Sequence, residues 1–291
     1  MDKGWERYVD KEGLKKYCPG CSHPLVAKAV AQALAQLNIP PEEVVLVTDI
    51  GCCGLADHYF LTHTVHTLHG RSTAVATGIA LAHQYSEKGK AKVIVFIGDG
   101  GATIGLLHLL ESARISAPIC VILHNNFLYG MTGGQSSSST PLGWISRSTP
   151  EGNMLPPLSF YQLARECTPC YLARVLATHR SLPEIVQKAL TCEGFSLVEV
   201  MELCTAYAVR WNKLTMKKLE EELQKMGWEE KEEHFTRIVP ALPEGEEAHL
   251  EMVAQEKKAQ ISSVVRVVIA GGAGQGVQWA SRKIATTAGN Q

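Results

Sequence analysis

The sequence predicts an α/β protein with three layers, a mostly parallel sheet carrying helices on both faces. Two observations lead there. Over about the first 200 residues, short apolar runs alternate with helical stretches. The runs are also dominated by β-branched residues, as strands buried on both faces require. Predicted strands are 43–47 (EVVLV), 92–97 (KVIVFI), 119–123 (ICVIL), 171–175 and 196–201, and predicted helices are 24–37, 73–87, 104–116 and 182–191. A stretch rich in Gly, Ser and Pro runs from 132 to 157. A loop of that length in a compact domain is expected to be a functional lid or a disordered segment.

This main domain is expected to span 1–210. A charged helical extension and linker should follow over 211–262, strongly charged over 216–233 and rich in proline and glutamate over 239–247. From 263 to 291 a final strand (VVRVVI, 264–269) leads into AGGAGQGV, a glycine-rich turn opening a helix.

Composition narrows the function. The chain is 45% hydrophobic and 20% charged with a net charge of −1, values of an ordinary globular protein. They give no reason to expect nucleic acid or a membrane surface as partner. No apolar run approaches the roughly 18–20 residues of a membrane span, and the charged N-terminus lacks the apolar core of a secretory signal. The expected location is cytoplasmic. Nine cysteines in that compartment suggest metal or redox chemistry, and their odd number and wide scatter argue against a disulfide framework.

The strongest motif follows the KVIVFI run. Gly98-Asp99-Gly100 is separated from Asn125-Asn126 by residues 101 to 124. Glycines at a strand end let the backbone approach a diphosphate, and the helix that follows turns its positive end towards it. Asp99 offers Mg²⁺ a hard oxygen, and the next strand delivers Asn126 beside it. Both lie at strand C-terminal ends, where open α/β sheets bind ligands. The pattern resembles the thiamine pyrophosphate fingerprint. Taken alone, GDG would be a weak signal, an acidic turn between strand and helix.

Four blocks extend the likeness: YCPGCSH (17–23), DIGCCG (49–54), LHGRSTAVATGIALA (68–82) and NNFLYGMTGGQSSSSTP (125–141). In this order they resemble the β subunits of the 2-oxoacid:ferredoxin oxidoreductases over roughly residues 15 to 210. The resemblance implies thiamine-pyrophosphate-dependent oxidative decarboxylation of a 2-oxoacid to acyl-CoA and CO₂. Single electrons would pass through a [4Fe–4S] cluster to ferredoxin. It implies that Asp99, Asn126 and the backbone carbonyl of Leu128 hold Mg²⁺. Gly51, Cys52, His69, Gly70, Gly98, Gly100 and Gly101 would line the cofactor, together with Tyr129, Gly130, Met131 and Thr132. The glutamate that activates the cofactor has no candidate in this chain and would come from an α-type partner. The AGGAGQGV turn resembles the start of the γ subunit of the same complexes, and it misses the strict dinucleotide spacing.

Cys18-Pro-Gly-Cys21 offers two thiolates on one turn facing one metal centre, and taken alone such a pair could mean zinc, a dithiol redox pair or chance. The resemblance adds Cys52 and Cys204 as third and fourth ligands of a [4Fe–4S] site. Cys53 is a substitute for Cys52. Cys167-Thr-Pro-Cys170 could complete a zinc site with Cys18 and Cys21, although residues 22 to 166 separate the pairs, far beyond a zinc ribbon. The preferred reading makes Cys167 and Cys170 structural, and Cys120 and Cys192 inert core thiols. Of the histidines at 58, 63, 66 and 69, only His69 falls in a matched block. His69 and Arg71 are candidates to bind the diphosphate or the 2-oxoacid carboxylate.

Overall fold

Parity along the strands decides which side of the sheet each residue serves, because successive side chains in a strand point to opposite faces. The computed structural model describes residues 4–84 and 91–236. The first half contains α1 (Lys11–Leu14), α2 (His23–Gln36), β1 (Val44–Thr48), β2 (His63–His66) and α3 (Ser72–Gln84). Next come β3 (Lys92–Gly98), α4 (Asp99–Ile104), α5 (Leu106–Arg114), β4 (Ile119–Asn125) and the short pair β5 (Leu128–Tyr129) and β6 (Gln135–Ser136). The last part comprises α6 (Phe160–Arg165), β7 (Tyr171–Leu176), α7 (Leu182–Thr191) and β8 (Ser196–Met201), then α8 (Ala208–Asn212), α9 (Met216–Lys225) and β9 (Lys231–His234).

Seven strands form one sheet in the order β2-β1-β3-β4-β8-β7-β9. Every pairing is parallel except that of β7 with β9. Leu46, Ile94, Phe96 and Ile122 pack with α2 and α7 on one face. The odd-numbered Val47, Val95, Val121 and Leu123 pack against α3, α5 and α6 on the other. The three-layer α/β class is therefore the observed one.

Helix α2 takes Pro24 in its first turn, where the missing N–H costs nothing. It stops at Asn38, whose φ of 53° is the left-handed conformation that closes helices. One predicted element changes and one unpredicted strand appears. The helix expected over 104–116 is two helices, α4 and α5, broken at Gly105. There a Cβ would collide with the carbonyl of Gly70, so close backbone approach outweighs helical periodicity. The segment 63–66 (HTVH), not predicted as a strand, pairs with β1 at the sheet edge.

The 132–157 segment is well anchored. Thr140 Oγ1 donates to the Phe127 carbonyl at 2.5 Å, Asn153 Nδ2 to the Thr140 carbonyl at 2.7 Å, and Trp144 packs edge-on against Phe127. The stretch expected as a solvated extension is partly built into the sheet. Leu219, Leu223 and Trp228 are buried, and β9 pairs with β7, where Tyr171 and Tyr161 donate to Glu232 and Glu233 at 2.8 and 2.6 Å. Among the described residues this packing continues past 210 to the end of β9. The expected strand and glycine turn of 263–291, with the likeness to a γ subunit, lie outside the described residues.

Cys170 and Cys192 form a disulfide with Cα atoms 6.2 Å apart. This corrects the reading of Cys192 as an inert core thiol. The cause is topological. Helix α7 runs back along β7, bringing the residue after its C-terminus beside the residue before the strand. With Cys170 so engaged, the four-cysteine zinc site of Cys18, Cys21, Cys167 and Cys170 is not assembled. Cys120 is a buried thiol on β4, pushed up to about 11 by burial. Among the described residues no helix is long and apolar enough to cross a membrane.

Candidate active site

Four neighbouring strands end on one edge of the sheet, and the residues that follow them form the site. Strand β1 leads into Asp49 to Cys52, β3 into Asp99, β4 into Asn126, and β8 into Glu202 to Cys204. They enclose a cavity of about 460 Å³, in the range of cofactor sites. Gly51 and Cys52 line it from β1, Gly98 to Gly101 from β3, and Asn126 and Leu128 from β4. Tyr129, Gly130, Met131 and Thr132 close one side and His69 another.

Asp49 organises the edge. It is fully buried, and its carboxylate accepts from the backbone of Ile50 (2.9 Å), Gly70 (3.0 Å) and Ser72 (3.4 Å) and from the Ser72 hydroxyl (2.8 Å). His69 Nδ1 lies 2.6 Å from the same group. Gly70 reaches it with φ of 72° and stands just behind the cavity wall. Gly101 must lack a side chain here, because a Cβ would lie 2.5 Å from Asp49 Oδ1.

Asp99 is the buried carboxylate facing the cavity. Gly100 N–H donates to it at 2.9 Å and Ser139 Oγ at 3.4 Å, and no salt bridge is formed to it among the described residues. Burial, only partly offset by these hydrogen bonds, pushes its carboxyl up to about 6. A buried carboxylate with donors but no cation suits a divalent metal. Asn126 lines the same cavity, and after it Phe127 takes φ of 67°, a turn in which Leu128 N–H donates to Asn126 Oδ1 at 3.2 Å. Asn125 faces the other way, towards Glu199 at 2.9 Å. The glycines and this donor set fit a metal–diphosphate group.

The cysteines at 18, 21, 52 and 204 gather at one end of the edge. Cys21 N–H donates to the Cys18 carbonyl at 3.0 Å, closing the predicted turn through Gly20 at φ of 76°. Ser22 Oγ accepts from Leu203 N–H at 3.0 Å, drawing this turn to the end of β8. Tyr17 donates to the Cys52 carbonyl at 3.1 Å. Burial raises the Cys52 thiol, and Cys21, Cys204 and Cys18 act on it in the same direction. A Cβ on Gly130 would lie 3.7 and 3.8 Å from the sulfurs of Cys204 and Cys52. Cys53 turns inward instead, its sulfur 3.9 Å from the carbonyls of Asp49 and Ile50.

Among the described residues, three ligand atoms that lie within 4.8 Å of one another belong to His23, His124 and Glu202.

Sequence reasoning missed His23, His124 and Glu202. His124 Nδ1 lies 2.5 Å from Glu202 Oε1, His23 Nδ1 lies 2.6 Å from Oε2, and both rings line the cavity. The available signal was a charged residue and a histidine at the ends of two apolar strands. Arg71 stands outside the cavity wall, exposed, with Nη1 2.5 Å from His108 Nε2. His63 and His66 lie on the edge strand β2, where His66 meets Thr48 and Asp57 at 2.9 and 3.1 Å.

Residues 49–200 match the thiamine pyrophosphate enzyme, C-terminal TPP binding domain. The chain is 35% identical over 198 residues to 2-oxoglutarate synthase subunit KorB of Methanocaldococcus jannaschii, covering 67% of this chain and 72% of that protein. It belongs to the β subunits of the 2-oxoacid:ferredoxin oxidoreductases. The β subunit of the 2-oxoacid:ferredoxin oxidoreductase of Saccharolobus solfataricus is 36% identical over 195 residues, 66% of this chain and 62% of that one. The fold matches 2-oxoglutarate:ferredoxin oxidoreductase from Magnetococcus marinus, solved with 2-oxoglutarate, coenzyme A and succinyl-CoA bound. That likeness has a TM-score of 0.72 at 23% identity, covering 87% of this chain and 92% of that one. As a β subunit of this oxidoreductase family, the chain carries a thiamine pyrophosphate binding domain over residues 49–200, the stretch that includes Asp49, Asp99 and Asn126.

Asp49→Asn tests the hub of that edge. An amide accepts through one oxygen only and leaves a buried backbone N–H unpaired, a loss of roughly 1–3 kcal/mol. Urea unfolding should show it, and an unchanged midpoint would remove Asp49 from its organising role.

Proposed function

We propose that this chain acts within a 2-oxoacid:ferredoxin oxidoreductase, in oxidative decarboxylation of a 2-oxoacid to acyl-CoA and CO₂ with electrons delivered to ferredoxin. The observation that carries the reading is Cys52. It lines the cofactor cavity and also faces Cys18, Cys21 and Cys204, so the groups held on either side would share a wall. Asp99, Asn126 and the Leu128 carbonyl would hold Mg²⁺, and the glycines at 98, 100 and 101 would admit the diphosphate. Cys18, Cys21, Cys52 and Cys204 would hold a [4Fe–4S] cluster.

Bound thiamine pyrophosphate supplies the carbanion chemistry of decarboxylation, and the cluster supplies a one-electron acceptor. The chain's own residues orient and exclude water. Asp49 fixes His69 at the cavity wall, where it is the better-placed of the two candidate contacts; Arg71 would act only from outside it. Ile50, Ile104 and Met131 line the cavity yet are 39%, 57% and 55% exposed. Such an apolar rim supports closure by another subunit. An α-type partner would bring the activating glutamate as well, alongside a γ-type subunit and coenzyme A.

Asp99→Ala should lower thiamine pyrophosphate affinity at least tenfold, about 1.4 kcal/mol, in calorimetric titration. Unaltered affinity in a folded variant would overturn the metal–diphosphate assignment.

For the cluster, serine at 18, 21, 52 or 204 puts a harder donor where iron takes thiolate. Each variant should lose the broad visible absorbance of protein purified anaerobically, whereas Cys53→Ser, Cys167→Ser and Cys170→Ser should keep it. Zinc in place of iron, lost on changing Cys167 or Cys170, would replace the redox reading with a structural one. A colourless chain that still binds thiamine pyrophosphate would leave a non-redox enzyme of the same cofactor class.

A further inference from the structure

Behind the cavity lies a buried unit that the reading above leaves without a task. His124 and His23 flank Glu202, one at each carboxylate oxygen. Their rings stack with centroids 4.8 Å apart and planes 7° apart. His23 Nδ1 also lies 3.5 Å from Cys21 Sγ. The three side chains are 0–4% exposed. Both rings line the cavity while Glu202 does not, so the carboxylate sits behind them. His124 Nε2 is a buried polar atom with no hydrogen-bond partner.

An ionised carboxylate only accepts hydrogen bonds, so the Nδ1 of His124 that faces it carries the proton. The neutral ring then holds its lone pair at Nε2. An acceptor left unsatisfied in such a place costs roughly 1–3 kcal/mol, and natural buried groups of this kind have partners when their ligand is present.

The ligand's chemistry narrows the partner. The diphosphate of thiamine pyrophosphate presents acceptor oxygens at neutral pH and would be repelled by a lone pair. The molecule carries its N–H donors on the exocyclic amino group. We propose that His124 is a cofactor-binding residue that accepts a hydrogen bond from the organic half of thiamine pyrophosphate, through its amino group. Glu202 and His23 are positioning residues that fix its tautomer and ring plane. The inference rests on the cofactor assignment made above.

The test is calorimetric titration of the full chain with two probes, thiamine pyrophosphate and inorganic pyrophosphate, each with Mg²⁺. His124→Phe keeps a ring of similar shape without the acceptor. It should weaken thiamine pyrophosphate about tenfold and leave pyrophosphate within about twofold. His124→Gln, which places an amide oxygen near the lost Nε2, should recover most of that loss. Glu202→Gln, which no longer dictates the tautomer, should repeat the selective loss in a side chain of the same shape. Unchanged thiamine pyrophosphate binding in the Phe variant, or equal loss of both probes, would overturn the proposal. So would a zinc ion bound in the native chain and released by Glu202→Gln, which would make the trio a metal site. A native chain that binds neither probe would instead overturn the cofactor assignment itself.

Discussion

The site depends on one buried carboxylate held by hydrogen bonds from two separate stretches of chain. Asp49 is buried at the end of β1 and takes hydrogen bonds from the backbone of residues 50, 70 and 72. Those contacts bind the loop after β2 to the strand end, and they leave Gly101 no room for a Cβ. The position of His69 and the break between α4 and α5 follow from the same crowding, since Gly70 sits against both Asp49 and Gly105. A buried carboxylate is costly unless satisfied, and here backbone donors satisfy it. The arrangement is thereby stiff where a cofactor needs a fixed wall.

A second carboxylate, Glu202, does for the other end of the edge what Asp49 does for the first. It follows β8 directly, and its N–H donates to the Asn125 carbonyl at 2.8 Å. It therefore links β4 to β8 as well as the two histidines to each other. The turn of Cys18 to Cys21, held through Ser22 to Leu203, rests on the same strand end. Cofactor wall and cysteine cluster are thus neighbours because parallel strands deliver their C-terminal ends side by side.

The parts that were legible in the sequence are those carried by local pattern. Runs such as KVIVFI and ICVIL announced β3 and β4, and 182–191 and 196–201 were placed to the residue. GDG and the paired asparagines marked the cavity because glycine, carboxylate and strand end stand together in the chain. What was hidden depends on strand order. His124 and Glu202 are 78 residues apart and meet only because β8 lies beside β4. The Cys170–Cys192 disulfide depends likewise on how α7 returns. Strand β2, with two histidines and a threonine among its four residues, lacked an apolar signature because it is the exposed edge. Leu219, Leu223 and Trp228 were obscured by the charges around them in 216–233.

The account stands or falls on the proposed metal–diphosphate and iron–sulfur sites sharing one edge of the sheet. Manganese can replace magnesium as a paramagnetic metal of similar oxygen preference. With the cluster reduced and thiamine pyrophosphate present, Mn²⁺ at Asp99 and Asn126 should broaden the cluster's electron paramagnetic resonance signal and speed its relaxation. Mn²⁺ without thiamine pyrophosphate should do so far less. A cluster signal indifferent to saturating Mn²⁺ and thiamine pyrophosphate would contradict the shared edge.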